Sequence, residues 1–160
     1  MTAMNPKAFP LAELAGQPQS PPEAAFHSAS GGELPITSES DIIATRQAVR
    51  NAAAALGFGL IDVTRIVTAA SELTRNIYVY AGSGIVRWRS VAKAGLVGLE
   101  LTFEDHGPGI PDVQKAMEPG FTTGRGMGLG LPGSKRLMDE MTIQSAAGQG
   151  TTIEIRKWLR

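Results

Sequence analysis

Residues 97–103 alternate with a period of two. Val97, Leu99, Leu101 and Phe103 project to one side, and Gly98, Glu100 and Thr102 to the other. This pattern reads as a strand with one buried face, which needs an apolar layer to cover it. The strand runs directly into Asp105-His106-Gly107-Pro108-Gly109, a turn sequence. Whatever the topology, an acid and two glycines must sit at the end of a core strand.

The rest of the chain supplies the cover. Leu34–Thr37 reads as a short strand, and Ser38 to Asp41 as the start of a helix. Ile42, Arg46, Val49, Ala53 and Leu56 recur at helical spacing until Gly57 and Gly59, which read as left-handed stops. A second helix begins near Asp62 and ends near Tyr80, with Ile66, Ala70, Leu73 and Ile77 as its apolar stripe. Residues 84–92 read as a further strand. Residues 131–140 read as a helix with Leu131, Ser134, Leu137, Met138 and Met141 on one side. Thr142–Ala146 and Thr151–Trp158 read as a hairpin around Gly148-Gln149-Gly150. The order predicts an α+β fold: a two-layer α/β sandwich, with a mixed, mostly antiparallel sheet and helices on one face.

Residues 1–33 are different in kind. Six of the ten prolines precede residue 36, among Ala, Ser and Gly, with no sustained apolar period. Such a segment buries too little surface to offset its ordering entropy. The reading is a flexible extension over 1–33, whose removal leaves stability unchanged, followed by one domain over 34–160. A body of this size can bury a core without staples.

Composition excludes several functions. The chain has no cysteine, so disulfides, thiol catalysis and thiolate metal sites are ruled out. Two histidines, His27 and His106, cannot make a His-rich metal site. Fifteen basic and fifteen acidic residues balance, which argues against a dedicated nucleic-acid or polybasic membrane binder. No apolar run approaches the ~20 residues of a membrane span. The N-terminus shows no basic start with an apolar core, so no signal peptide is read and a cytoplasmic location is expected.

The stretch Gly120 to Gly133 contains a literal G-x-G-x-x-G at 128–133. It is not a Rossmann fingerprint, because no strand precedes it and no acid follows at the required distance. Nor is it a P-loop, because Gly133 is followed by Ser134-Lys135. Its glycines permit close backbone approach to a ligand. They open onto a helix whose free N–H groups favour phosphate, with Pro132 suited to the first turn. A plain surface loop remains the competing reading.

Three other sites carry chemistry. Glu72 and Asn76 lie four apart on one helix face, at the edge of the core. Asn is a poor mid-helix residue, but its amide oxygen is a sound Mg²⁺ ligand. Glu72 would then stand ready to take a proton, although a surface Glu beside a tolerated Asn fits equally. Asp105, at a strand end between small residues, can accept from an exocyclic amine such as adenine N6, or can be an ordinary Asp turn. Gly148-Gln149-Gly150-Thr151-Thr152 is either a hairpin turn alone or the wall of a site.

These motifs occur in one order: acid-plus-Asn helix, D-x-G-x-G after a strand, glycine-rich lid before a helix, G-x-G-T-T hairpin. That order resembles the GHKL, or Bergerat, ATP-binding fold of gyrase, Hsp90, histidine kinases and MutL. Over roughly 35–160 the resemblance narrows to the RsbT-type anti-sigma regulatory serine/threonine kinases. Ala55 to Gly59, Ser71 to Tyr78, Glu104 to Asp112, Gly120 to Thr123, Gly130 to Glu140 and the Gly150–Arg160 ending carry it. A histidine kinase would need a phosphoacceptor-His helix upstream, and His27 lies in the extension.

The resemblance implies a bacterial ATP-dependent protein kinase using Mg²⁺. It implies Glu72 as the base, Asn76 as the Mg²⁺ ligand, and Asp105 as the adenine reader, with Gly107, Gly109 and Thr151 or Thr152 shaping that pocket. Thr123, Gly124, Arg125, Gly126, Met127, Gly128, Leu129 and Gly130 would form the lid over the phosphates. Arg125, Lys135 and Arg136 are possible sources of positive charge. The implied acceptor is a Ser or Thr of a STAS-domain protein in a large sensing complex, the stressosome. A PP2C-type phosphatase is the implied second partner. The alternative is an ATP-binding module that activates such a phosphatase or sequesters a sigma factor with little transfer. The Tyr78–Tyr80 helix end and the alanine-rich first helix are candidate docking faces, or core.

Overall fold

The computed structural model describes residues 31–120 and 130–160. Strand β1 (Gly31–Ile36) leads into helices α1 (Glu39–Ala55) and α2 (Leu60–Asn76). A π-helical turn (Ile77–Ala81) extends α2, and β2 (Gly84–Lys93) and β3 (Leu96–Asp105) follow as a hairpin. The short α3 (Val113–Ala116), then α4 (Gly130–Leu137), β4 (Glu140–Ser145) and β5 (Thr151–Trp158) complete the described chain. The five strands lie in the order β1-β2-β3-β5-β4. Among the described residues every pairing is antiparallel. The α+β architecture is as expected, without the parallel pairing that a mixed sheet allowed for.

Strand alternation builds the core. Ile36, Val86, Leu99, Leu101, Phe103, Ile153 and Ile155 are buried in one cluster with Val49 and Ala53 of α1 and Ile66, Ala70 and Leu73 of α2. The apolar stripe read for α2 is buried throughout, including Ile77. In α1 the stripe is shifted: Arg46 is exposed and Thr45 is buried. Thr45 is tolerated there because its hydroxyl donates to the Asp41 carbonyl at 2.8 Å.

The entry to α1 is fixed by Asp41. Its carboxylate accepts the backbone N–H groups of Thr37 and Ser38, each at 2.8 Å. Those backbone hydrogen bonds hold its pKa below the ordinary carboxylate value.

Several boundaries differ from the sequence reading. Gly31, Gly32 and Glu33 belong to β1 and pair with Arg89, Trp88 and Arg87, so the body begins before residue 34. Gly57 is left-handed, but Gly59 is the extended N-cap of α2 and not a stop. Helix α4 ends at Leu137 because Asp139 turns the chain: its N–H donates to the Arg156 carbonyl, and its carboxylate takes the Trp158 N–H. Glu140 and Met141 therefore start β4. Val97 is 46% exposed at the far end of the hairpin.

The other face of the sheet carries a ladder of charge. Glu100 lies beneath Arg89 and Arg156, with its side chain 3% exposed. Arg156 also reaches Glu140 at 3.0 Å and Glu154 at 3.1 Å, and Arg87 bridges Glu33 and Glu104. Burial raises the Glu100 pKa, but hydrogen bonds and charge from the two arginines outweigh it and leave it below the ordinary value.

Candidate functional site

Helix α2 carries Glu72 and Asn76 one turn apart, both partly buried, flanking the buried Leu73. The helix does not end cleanly after Asn76. It widens into the π turn, a distortion common beside functional residues. That turn brings α2 onto the end of β3. A Cβ on Gly107 would lie 2.6 Å from the Ala81 Cβ, and one on Gly84 would lie 2.6 Å from Ile77 Cγ2 and 3.3 Å from the Asp105 Cβ. The acid-plus-Asn helix and the Asp105 turn are therefore in contact through small residues.

Asp105 ends β3 on the helix-covered side. Its Oδ1 accepts the Gly107 N–H at 2.9 Å, which closes the turn and fixes the carboxylate. Its register partner on β5 is Thr151, so the two side chains share one face. Thr152 pairs with Glu104 and takes the opposite, charged face. Of the two threonines named from sequence, the structure brings Thr151 to Asp105 and leaves Thr152 on the far side.

The 107–111 loop and the β4–β5 hairpin are locked together. Gly148 N–H donates to the Pro108 carbonyl at 2.6 Å. Gly109 has φ +72, and a Cβ there would collide with the Ala146 carbonyl. Gly150 passes so close to the Asp105 carbonyl that a Cβ would overlap it. Both positions exclude any side chain. Ser145, which the sequence did not single out, joins the pieces: its Oγ meets Ile110 N at 2.7 Å, Gly150 O at 3.0 Å and Thr151 Oγ1 at 2.8 Å. A lone Ser before a turn carries no sequence signal of such a role.

Helix α4 packs on α2, with Leu131 and Ser134 buried between them, and Gly130 opens it. Thr123, Gly124, Arg125, Gly126, Met127, Gly128 and Leu129 lie outside the described residues. Pro132 occupies the first turn, as its missing N–H permits. Lys135 and Arg136 are exposed in the last turn, at the end of the helix away from Gly130.

The π turn that follows Asn76 thus meets the Gly84 and Asp105–Gly107 segments through Ile77 and Ala81, and the Gly148–Thr151 hairpin joins them from the other side. Among the described residues no group of three or more His, Cys, Asp or Glu forms a metal cage. Asn76 offers one hard amide oxygen, with the Glu72 carboxylate one helical turn away. A single amide oxygen fits Mg²⁺, which keeps several waters and takes one or two protein oxygens beside phosphate. Among the described residues no helix is long and apolar enough to cross a membrane.

Residues 61–160 match the HATPase_c family, described as histidine kinase-, DNA gyrase B-, and HSP90-like ATPase. The chain is 57% identical over 125 residues to the serine/threonine-protein kinase RsbT of Bacillus subtilis (strain 168), covering 78% of this chain and 94% of that protein. It is 33% identical to an anti-sigma F factor of Geobacillus stearothermophilus, over 60% of this chain and 69% of that protein. An anti-sigma F factor of Thermoanaerobacter sp. (strain X514) is 32% identical, over 71% of this chain and 82% of that protein. With the family match covering more than half the sequence and the kinase match 78% of it, the chain belongs to the HATPase_c, or GHKL, family as an RsbT-like protein serine/threonine kinase.

Proposed function

We propose that this kinase transfers the γ-phosphoryl group of MgATP to a Ser or Thr of a STAS-domain partner, within a partner-switching pathway. The observation that carries the reading is the meeting of the π turn after α2 with the Asp105 turn and the β4–β5 hairpin. Asp105 accepts from adenine N6, while Gly107 and Gly109 leave room for the flat ring and Thr151 closes its edge. Thr152, on the other face, contributes through strand pairing alone. Asn76 holds the metal, which when bound neutralises phosphate charge. The lid role that the resemblance implies for Thr123 to Gly130, with Arg125 as a source of positive charge, falls on residues that, Gly130 apart, lie outside the described ones.

Glu72 accepts the proton of the acceptor hydroxyl. The hydroxyl oxygen forms a bond to the γ-phosphorus as the bond to the β–γ bridging oxygen breaks, and ADP departs. Little covalent chemistry is asked of the protein, so positioning and charge carry the rate. The similarity to anti-sigma F factors favours a second reading: a nucleotide-bound module that sequesters a sigma factor or activates a PP2C-type phosphatase. Tyr78, Val79 and Tyr80, exposed on the π turn beside Asn76, suit such docking.

The deciding experiment offers γ-labelled ATP and Mg²⁺ to the kinase with a STAS-domain protein encoded beside its gene. Label on a Ser or Thr, lost with Glu72→Ala, is expected. Nucleotide binding without label on any such partner favours the second reading, and no nucleotide binding overturns both.

A further inference from the structure

Lys157 lies on the helix-covered face of β5, opposite Leu99 and at the end of the sheet away from Asp105. Only 10% of its side chain is exposed. Its ammonium carries three protons and accepts nothing. Three oxygens surround it: the Leu137 carbonyl at 3.2 Å, Asp139 Oδ1 at 3.3 Å and Asp62 Oδ1 at 3.7 Å. These oxygens come from separate elements. Leu137 ends α4, so its carbonyl is one that the helix leaves unpaired, and a cation there complements the helix dipole. Asp62 stands in the first turn of α2, where an anion does the same. Asp139 leads into β4 and also accepts the Trp158 N–H at 2.8 Å.

One buried ammonium thus ties the end of α4 to the start of α2. Because the two helices pack on each other, they run antiparallel, and the Gly130 end of α4 points toward the Glu72–Asn76 end of α2. A helix of eight residues is too short to hold itself together, so α4 stands where its contacts put it. Leu131 and Ser134 bury its face, a contact with little direction along the axis. The ammonium at its last turn is directional. A slip of one residue would carry the opening of α4 about 1.5 Å along α2. We infer that Lys157 is a positioning residue for phosphoryl transfer: by pinning the last turn of α4 to α2 and β5, it sets where the opening of α4 stands relative to Glu72 and Asn76. Lys157 touches no substrate. It acts through α4, whose free N–H groups at Gly130 and Leu131 favour phosphate.

The inference rests on the nucleotide-binding reading of the site, and the test separates the two. Calorimetry on the full chain with Mg²⁺ compares ATP with adenosine, which carries the base and no phosphate. Lys157→Met keeps the reach of the side chain and removes its charge. ATP affinity should fall about threefold to tenfold while adenosine affinity holds. Removing the ammonium strips Asp62 and Asp139 of a partner, so Asp62→Asn serves if that variant does not fold. The Asp62 side chain is 33% exposed, and the change loosens only the α2 attachment. The ratio of ATP to adenosine affinity should then fall about twofold. An equal fall for both ligands, or a lower melting temperature with the ratio unchanged, is the mark of a merely structural role and overturns the inference. So does an unchanged ratio in Asp62→Asn where Lys157→Met does not fold. Wild-type protein that binds ATP no more tightly than adenosine overturns it and leaves the base site standing. Wild-type protein that binds neither overturns the underlying reading as well.

Discussion

The Asp105 carboxylate accepts the Gly107 backbone N–H at 2.9 Å, so the residue that would read a base is oriented by the turn that makes room for it. Asp105→Asn keeps the size but replaces the acceptor pair with one oxygen and one amide. Losing a charged hydrogen bond costs about 1.5–3 kcal/mol, so ATP affinity should fall roughly tenfold to a hundredfold. Calorimetry checks this, and unchanged affinity would remove Asp105 as the adenine reader.

The role proposed for Glu72 differs from that proposed for Asp105. Glu72→Ala should leave the dissociation constant for ATP nearly unchanged while transfer falls by about 10²–10⁴-fold, the range for a general base. Single-turnover phosphoryl transfer measures it. A full rate in that variant would be incompatible with the proton-accepting role.

Gly109 combines φ +72 with a carbonyl where a side chain would go. Gly109→Ala should destabilise the fold by at least about 2 kcal/mol, from backbone strain and displacement of the Ala146 carbonyl. It should also weaken nucleotide binding, because the 107–111 loop and the hairpin would separate. Denaturant unfolding and calorimetry on the same sample test both parts. A variant of wild-type stability would show that the loop yields cheaply.

How much of this was legible in the sequence depends on the range of the interaction. The alternation in 99–103 and the 3.6-residue stripe from Ile66 to Ile77 are local patterns, and both lie in the core as read. Arg46 and Thr45 exchanged places because a hydroxyl can satisfy itself on the preceding turn, which periodicity does not register. The end of α4 was misplaced because Asp139 is held by Arg156 and Trp158, partners seventeen and nineteen residues away. The place of Asp105 at the end of β3 was legible from the turn sequence that follows it. The choice of Thr151 over Thr152 was not, since it hangs on the β3–β5 register. Ser145 was invisible for the same reason, because all its partners come from other segments or the far side of a turn.

Glu100 gives the sheet a pH dependence with a definite sign. Its pKa is depressed in the fold by Arg89 and Arg156 against the opposing effect of burial. A depressed carboxylate contributes stability fully above its unfolded value, and loses it as pH falls through that value toward the folded one. Glu100→Gln should therefore cost about 1–3 kcal/mol at neutral pH, leaving two arginines without their shared partner. The gap between variant and wild type should close as pH drops below about 4. Melting curves across pH 3 to 7, roughly the glutamate range and above, read this directly. A gap independent of pH would mean the effect is packing and not charge.

The β1 boundary supplies the last prediction. Composition placed Gly31, Gly32 and Glu33 with the extension, yet each holds a register position against β2. Gly32 lies against the Trp88 ring, where a Cβ would come within 2.9 Å of Cε2, and Glu33 pairs with Arg87 at 3.2 Å. Deleting 1–33 removes half of this edge strand and uncovers Trp88. It should cost about 1–2 kcal/mol relative to deleting 1–30, from lost cross-strand pairs and exposed ring surface. The shorter deletion keeps the strand whole. Thermal melts of the two truncations, with tryptophan fluorescence shifting red only in the longer one, distinguish a paired edge from a dispensable one. Identical melts would mean the strand gains nothing from its first three residues.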